Sequence, residues 1–376
     1  DMAVRVYLKQ AWNLMKQNPL FSTLYIVGTG ISIVMTMVIA IVYYVRLAPV
    51  YPETNRMRTL VVKSAKMTND ESTHSSNISY AMLKDWFYSL ESAEVSTGVS
   101  GTSYARVTND KEEIPTYARY TDENFFRVFP LVFLEGKPFT EADRRSGIHN
   151  VVLTDSYAQQ LFGTTKGVVG KNFLMDYTNV KVVGVVKSGS FLTPDSYAQV
   201  YLPYSCRDGY DDEGSHWALG GYRVYILMKE SKSVTDVQDE VLELVRKFNV
   251  SDMGDGWKLD LVGQPELYWH STFRLWSNVA VDWGRVIWMF VGIFMVLLFV
   301  PAFNLSGMIS ARMERQLPDL GIRKAFGASR RRLLVQIIWE NLLLTGLGTL
   351  LGLVIAWIVL ALSGYEIFSL FEVFPK

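Results

Sequence analysis

Leu20–Val45 reads LFSTLYIVGTGISIVMTMVIAIVYYV and contains no Asp, Glu, Lys or Arg. Two further stretches, Val286–Ala311 and Asn341–Tyr365, also lack charge. Each exceeds the roughly 20 apolar residues that a helix needs to cross a bilayer. The polar residues 47–284 between the first two are long enough for one large domain or two small ones. The pattern predicts a membrane protein, with transmembrane α-helices at 19–46, 285–311 and 340–365 and its soluble mass on one side.

Charge orients the threading. Arg312, Arg315, Arg323, Lys324, Arg330, Arg331 and Arg332 crowd the loop between the second and third stretches, opposed by Glu314 and Asp319. Short loops rich in Lys and Arg stay in the cytoplasm. Arg5, Lys9 and Lys16 before the first stretch agree. Residues 47–284 then face outward, as does the tail 366–376. Residues 1–18 carry Val4, Leu8, Ala11, Trp12 and Met15 at helical spacing, with Arg5, Lys9, Asn13 and Lys16 on the other side. That pattern suits an amphipathic helix on the inner leaflet, or one packed on protein. The chain starts at Asp1, so its native start is expected to lie upstream.

Small residues recur every fourth position in two stretches: Gly28, Ser32, Thr36 and Ala40 in the first, and Gly348, Gly352 and Ala356 in the third. Such faces let helix backbones approach closely, within one chain or between two, although small residues are common in membrane helices. Pro301 removes a backbone donor within the second stretch and predicts a kink, either a hinge or a static bend. Trp269, Trp276, Trp283 and Trp288 crowd the approach to that stretch, as tryptophan does at a water–lipid boundary.

The outer segment mixes strands and helices, which predicts an α+β domain. Strands are expected at Thr59–Val62, Val180–Val186, Gln199–Leu202, Tyr222–Met228 and Lys258–Leu261. Helices are expected after Ser79, Thr121, Thr154 and Ser233 as N-caps, with Asp236 completing a variant capping box and Gly163 ending the third helix. Pro138–Thr140 and Gly209–Gly220 read as joints, so residues 140–215 are expected to form an inserted lobe.

Catalytic patterns are absent from the sequence. No phosphate-cradling loop of the Gly-x-x-x-x-Gly-Lys-Ser/Thr type occurs. His74, His149, His216 and His270 lack metal-ligand spacing, and Asp208, Asp211, Asp212 and Glu213 read as a solvated turn rather than a calcium loop. No metal site is expected. Cys206 is the single cysteine, so no internal disulfide can form. The basic residues sit against the predicted membrane spans, which argues against a nucleic-acid partner. Energy for uphill work must come from elsewhere. Leu320-Gly321-Ile322-Arg323-Lys324-Ala325-Phe326-Gly327 forms a short helix candidate opened by Pro318 and closed by Gly327. Its apolar residues suit a partner's groove and its cations an acidic rim; contact with anionic membrane lipid is the plainer alternative.

The same segment, continued by Ala328-Ser329, Arg332-Leu333-Leu334 and Glu340-Asn341-Leu342-Leu343-Leu344, resembles the MacB/FtsX-like permeases of ABC transporters. Phe133-Leu134-Glu135-Gly136-Lys137-Pro138-Phe139 resembles a turn of their outer domain. Asn150–Thr154, Leu161–Gly163, Val169–Lys171, Val182–Val186 and Tyr201–Pro203 are similar to its inserted lobe. The resemblance covers nearly the whole chain. It implies a porter-like lobe with an inserted sabre-like lobe. Residues 312–339 would be a coupling segment on which a cytosolic ATPase dimer docks through Leu320, Gly321, Ile322, Arg323, Lys324, Ala325 and Phe326. ATP and Mg would be bound by that partner, leaving no cofactor and no catalytic residue in this chain. A second permease copy or homologous permease would complete the unit, with a periplasmic or outer-membrane partner beyond it. The expected localisation is the bacterial inner membrane. Members commonly have four spans, so a fourth helix is expected after Lys376. The competing readings are a membrane sensor that binds a ligand through its outer domain, and a scaffold for a cell-wall enzyme.

Overall fold

The first long helix is described from Pro19 on, a residue that the first turn of a helix accepts because proline lacks the amide that would go unpaired there. The computed structural model describes residues 19–297, 299 and 329–362, except 102, 110, 111, 191, 192, 212–216 and 252–255, together with the isolated positions 12, 16, 318, 321, 322 and 325. In chain order, helix α1 (Pro19–Leu47) leads to strands β1 (Thr59–Val62), β2 (Ala65–Thr68) and β3 (Thr73–Ile78) and helix α2 (Tyr80–Asp85). Strands β4 (Ala93–Ser100), β5 (Ser103–Asn109) and β6 (Glu112–Thr121), helix α3 (Phe125–Val128), strand β7 (Phe133–Gly136) and helix α4 (Glu141–Arg145) follow. Next come β8 (Asn150–Thr154), α5 (Asp155–Phe162), β9 (Asn172–Met175), β10 (Thr178–Val186) and β11 (Val200–Pro203). The outer segment ends with β12 (Leu219–Gly220), β13 (Tyr222–Met228), α6 (Val234–Val250), β14 (Lys258–Asp260) and β15 (Glu266–Leu267). Helices α7 (Trp283–Leu297) and α8 (Arg330–Leu362) complete the described elements.

The described residues divide into two units, one holding 19–44 and 283–362, the other 45–282. In the first unit, Ser22–Leu47 and Ile337–Val359 are long and apolar enough to cross a membrane. Their surfaces expose Leu24, Ile31 and Met35 on α1 and Leu342, Leu350, Val354 and Trp357 on α8. Helix α7 is also apolar but shorter over its described length. Of the predicted amphipathic helix, Trp12 and Lys16 are described; both are helical and exposed, and the rest lies outside the described residues.

The second unit contains two sheets. The first runs β14-β2-β3-β13-β1-β15, with β12 on β3 and β4 on β13. The second runs β7-β10-β8-β11-β6-β5-β9, and β9 also pairs with β10, so its inner strands close on themselves. The predicted lobe boundary at 140 falls inside this second sheet, which draws on Ser103–Pro203. The reason is nonlocal pairing: β6 lies parallel to β11, with Ala118 opposite Val200, so the β5–β6 hairpin joins a lobe whose other strands come later in the chain. The β9–β10 turn places Asp176 and Tyr177 at φ 47 and 64. A two-residue hairpin turn of this kind requires positive φ at both central positions. The Asp176 backbone and side chain both bond Arg106 of β5, holding the turn, and Tyr177 at its tip is exposed.

Helix α6 shows how sequence pattern becomes core. Val237, Val241, Val245 and Phe248 are buried against the first sheet, each contributing about 1.5–3 kcal/mol of burial energy. The Ser233–Asp236 capping box closes its start. Ser79 accepts from the Met82 amide at 3.0 Å, and Gly163 ends α5 at φ 70. At α3 the expected cap differs. Asp122, not Thr121, accepts from the Asn124 and Phe125 amides at 3.0 and 3.1 Å, while the Thr121 hydroxyl donates to the Gly98 carbonyl. A carboxylate one residue nearer the helix reaches the first free amides, leaving Thr121 to tie β6 to β4. Phe125, Phe126 and Phe129 of this region then pack with Val61, Val95, Tyr201 and Tyr225, drawn from both sheets.

Candidate functional site

Helices α1 and α8 meet through backbone. A methyl group built on Gly348 would lie 2.8 Å from Thr29 Cβ and 3.0 Å from the Ile26 carbonyl oxygen. One built on Gly352 would lie 2.7 Å from the Gly30 carbonyl oxygen and 3.0 Å from Ile33 Cβ. Real Cβ atoms do not sit that close, so the contact requires glycine. Ala356, one turn further on, is buried. The Tyr25 and Thr345 hydroxyls bond at 3.0 Å and pin the register.

On α1 the meeting face is Ile26, Thr29, Gly30 and Ile33. It is not the predicted stripe: Gly28 and Ser32 are half-buried, and Thr36 and Ala40 are exposed. The hydroxyls of Ser32 and Thr36 bond the carbonyls one turn back in their own helix. Glycine strips need not face each other. The flat strip of α8 fits a groove edged by β-branched side chains on α1, which is ridge-into-groove packing at close range.

The coupling residues are described in part. Gly321, Ile322 and Ala325 are helical and exposed; Leu320, Arg323, Lys324 and Phe326 lie outside the described residues, as does Pro301. Helix α8 begins at Arg330, three residues after Gly327. Among the described residues, no group of three His, Cys, Asp or Glu side chains could hold a metal. Cys206 is half-buried, its thiol 3.6 Å from the Ile148 carbonyl oxygen, and burial pushes it up to about 12.

A second constellation, absent from the sequence reading, lies in the outer unit where the chain leaves α1. Glu53 and Arg56 form a buried two-pronged ion pair, with Arg56 Nε 2.8 Å from Glu53 Oε2 and Nη2 bonding the same oxygen. The other Glu53 oxygen accepts from the Ser196 hydroxyl at 2.7 Å. Arg56 Nη1 donates to the carbonyls of Val45 and Ala48, at the end of α1. Its guanidinium lies 5.3 Å from the Tyr268 ring centroid. Beside Ser196, Asp195 faces Lys63 at 3.6 Å and Arg223 at 3.4 Å. Arg119 donates to the Pro194 and Tyr197 carbonyls.

Burial pushes the Glu53 carboxyl above the ordinary glutamate range, against the pull of Arg56. Burial would raise Asp195 too, but Lys63, Arg223 and Arg119 together outweigh it and hold the carboxyl well below the usual aspartate range. Burial also lowers the Lys63 ammonium, against Asp195. Glu53 and Arg56 stand three residues apart, but Lys63, Arg119, Asp195 and Arg223 come from distant segments, so no local motif announces the cluster. The available signal is a charge interrupting an apolar strand, as Arg223 does in β13.

Residues 21–244 match the family described as MacB-like periplasmic core domain, and residues 278–375 match the FtsX-like permease C-terminal family. Similar proteins include the macrolide export ATP-binding/permease protein MacB of Escherichia coli O157:H7, 22% identical over 268 residues, which are 70% of this chain and 39% of that protein. The pyoverdine export ATP-binding/permease protein PvdT of Pseudomonas entomophila strain L48 is 25% identical over 237 residues, 61% of this chain and 34% of that protein. The chain thus spans less than half the length of both relatives. Among solved structures, the periplasmic region of MacB from Actinobacillus actinomycetemcomitans is similar with 18% identity and a TM-score of 0.39, over 53% of this chain and 88% of that one. The extracellular domain of the ABC-type transporter YknZ from Gram-positive bacteria is similar with 16% identity and a TM-score of 0.37, over 52% of this chain and 99% of that one. With one family match covering the first long helix and most of the outer segment and another the C-terminal part, this chain belongs to the MacB/FtsX-like ABC transporter permease family.

Proposed function

We infer that this chain is a permease subunit that carries ATP-driven motion from cytosolic ATPase subunits to its outer domain, for export, extraction or activation of an outer partner. It spans the bacterial inner membrane several times, with residues 47–284 in the periplasm or outside the cell. An ATPase dimer binds ATP and Mg and docks at Leu320–Phe326, and a second permease copy or a homologous permease completes the unit.

The observation that carries this reading is the glycine contact of α8 with α1. A push on the coupling segment reaches Arg330 within a few residues and displaces α8. Because Gly348 and Gly352 leave no side-chain cushion against Ile26, Thr29, Gly30 and Ile33, α1 is displaced with it. Packed interiors transmit strain rather than absorb it. Helix α1 ends at Leu47 and is followed in the chain by the outer segment, whose first strand starts at Thr59.

The test is purification in gentle detergent. The expected companion is a nucleotide hydrolase whose activity the chain stimulates, with Arg323→Glu and Lys324→Glu together abolishing both binding and stimulation. Unchanged binding and stimulation by the double variant would exclude docking at this segment.

A further inference from the structure

Residues Pro194–Tyr197, between β10 and β11 of the second sheet, touch three structures at once. Asp195 reaches Lys63, just beyond β1, and Arg223 of β13, both in the first sheet's lobe. Arg119 of β6 grips the loop's own carbonyls. Ser196 bonds Glu53, whose partner Arg56 holds the carbonyls at the end of α1. Glu53, Arg56 and Asp195 are buried, so solvent screens these contacts weakly.

We propose that this loop is a clamp that fastens both lobes of the outer domain to the end of α1, with Glu53 and Arg56 as its positioning residues. Helices leave unpaired carbonyls at their C-terminal ends, and Arg56 satisfies two that a mobile joint would leave to water. Its planar fork spends Nε and Nη2 on Glu53 and Nη1 on the helix end. One side chain therefore joins the helix to the carboxylate that holds the second lobe. A lysine cannot reproduce that geometry. The clamp deepens the transmission reading and rests on it for its purpose: it holds the two lobes and the last residues of α1, from Val45 on, together.

Coupling between two sites is reciprocal, which makes the clamp testable without any ATPase. Hydrogen exchange is followed by mass spectrometry on the full chain in nanodiscs, without nucleotide. Ser196→Ala removes one hydroxyl. It is expected to speed exchange at Arg58 and Thr59, whose amides bond Asn55 and Arg56, by about tenfold, the effect of losing one buried hydrogen bond to a charged group. Arg56→Lys is expected to speed exchange at Ser196 and Tyr197, whose amides bond Thr193. Helix α6, which holds no clamp residue, is the control and stays unchanged. Acceleration confined to the mutated segment in each variant would overturn the clamp. If Arg56→Lys loosens the whole domain, Ser196→Ala alone decides. Failure of ATPase docking at residues 320–326 would leave this exchange pattern untouched, so the two readings fail separately.

Discussion

Gly352 stands against the backbone of Gly30, so close that a single added methyl would lie 2.7 Å from the Gly30 carbonyl oxygen. Gly346, on the same helix, has nothing within 4 Å of that position. The pair makes a controlled comparison. Gly352→Ala should destabilise the helix pair by about 1–3 kcal/mol, the usual cost of forcing volume into a packed contact. Gly346→Ala should be neutral or slightly stabilising, because alanine is the better helix former. Thermal unfolding of both variants in the same detergent checks this; equal melting temperatures would remove the close contact.

Asp195 ties stability to acid. Its folded carboxyl titrates below the ordinary aspartate value near 3.9, so on acidification the unfolded chain takes up a proton first. Its contribution is therefore complete above about pH 4 to 5 and is lost as the pH falls toward the lower folded value. Asp195→Asn should cost about 3 kcal/mol at neutral pH, the low end for breaking a buried pair, since Arg223 keeps partial contact with water. The same variant should show a flatter fall in melting temperature between about pH 5 and pH 3, where the wild-type carboxylate loses its contribution. A parallel fall in both proteins would show that Asp195 is not paired in the folded state.

The Cys206 thiol offers a chemical check on the second lobe. With its pKa pushed up to about 12 by burial, little thiolate exists near neutrality, and the thiolate is the nucleophile. Alkylation of the native chain at pH 8 should be slow and should accelerate about tenfold per pH unit, until denaturant removes the protection. Rapid alkylation at pH 7 would place the thiol in solvent.

Much of this architecture was legible beforehand, for identifiable reasons. Val237, Val241, Val245 and Phe248 repeat with the period of a helix and are buried, because local spacing and burial obey the same geometry. Ser233 and Asp236 form their capping box because its partners lie three residues apart. The charges around Glu53 were not legible. Ser196 is 143 residues from Glu53, and Gln264 is 201 residues from the Lys63 amide that it caps; only the folded chain brings them together. The second sheet's true start at Ser103 was hidden for the same reason, since β6 is recruited by β11. On α1, the regular stripe of Gly28, Ser32, Thr36 and Ala40 drew attention from the less regular groove at Ile26, Thr29, Gly30 and Ile33, which is the face α8 meets.

The central claim is that nucleotide binding inside the cell moves the outer domain. The direct measurement places a spin label at Tyr177, the exposed tip of the β9–β10 turn, in a chain whose single cysteine is replaced by Cys206→Ser. The distance to the same turn of a second copy, or to the matching turn of a homologous partner, is then recorded in the ATPase-bound complex with and without ATP and Mg. The account predicts a shift of several ångströms on nucleotide binding, absent when Arg323 and Lys324 are both changed to Glu. An unchanged distance in a complex that hydrolyses ATP would contradict it.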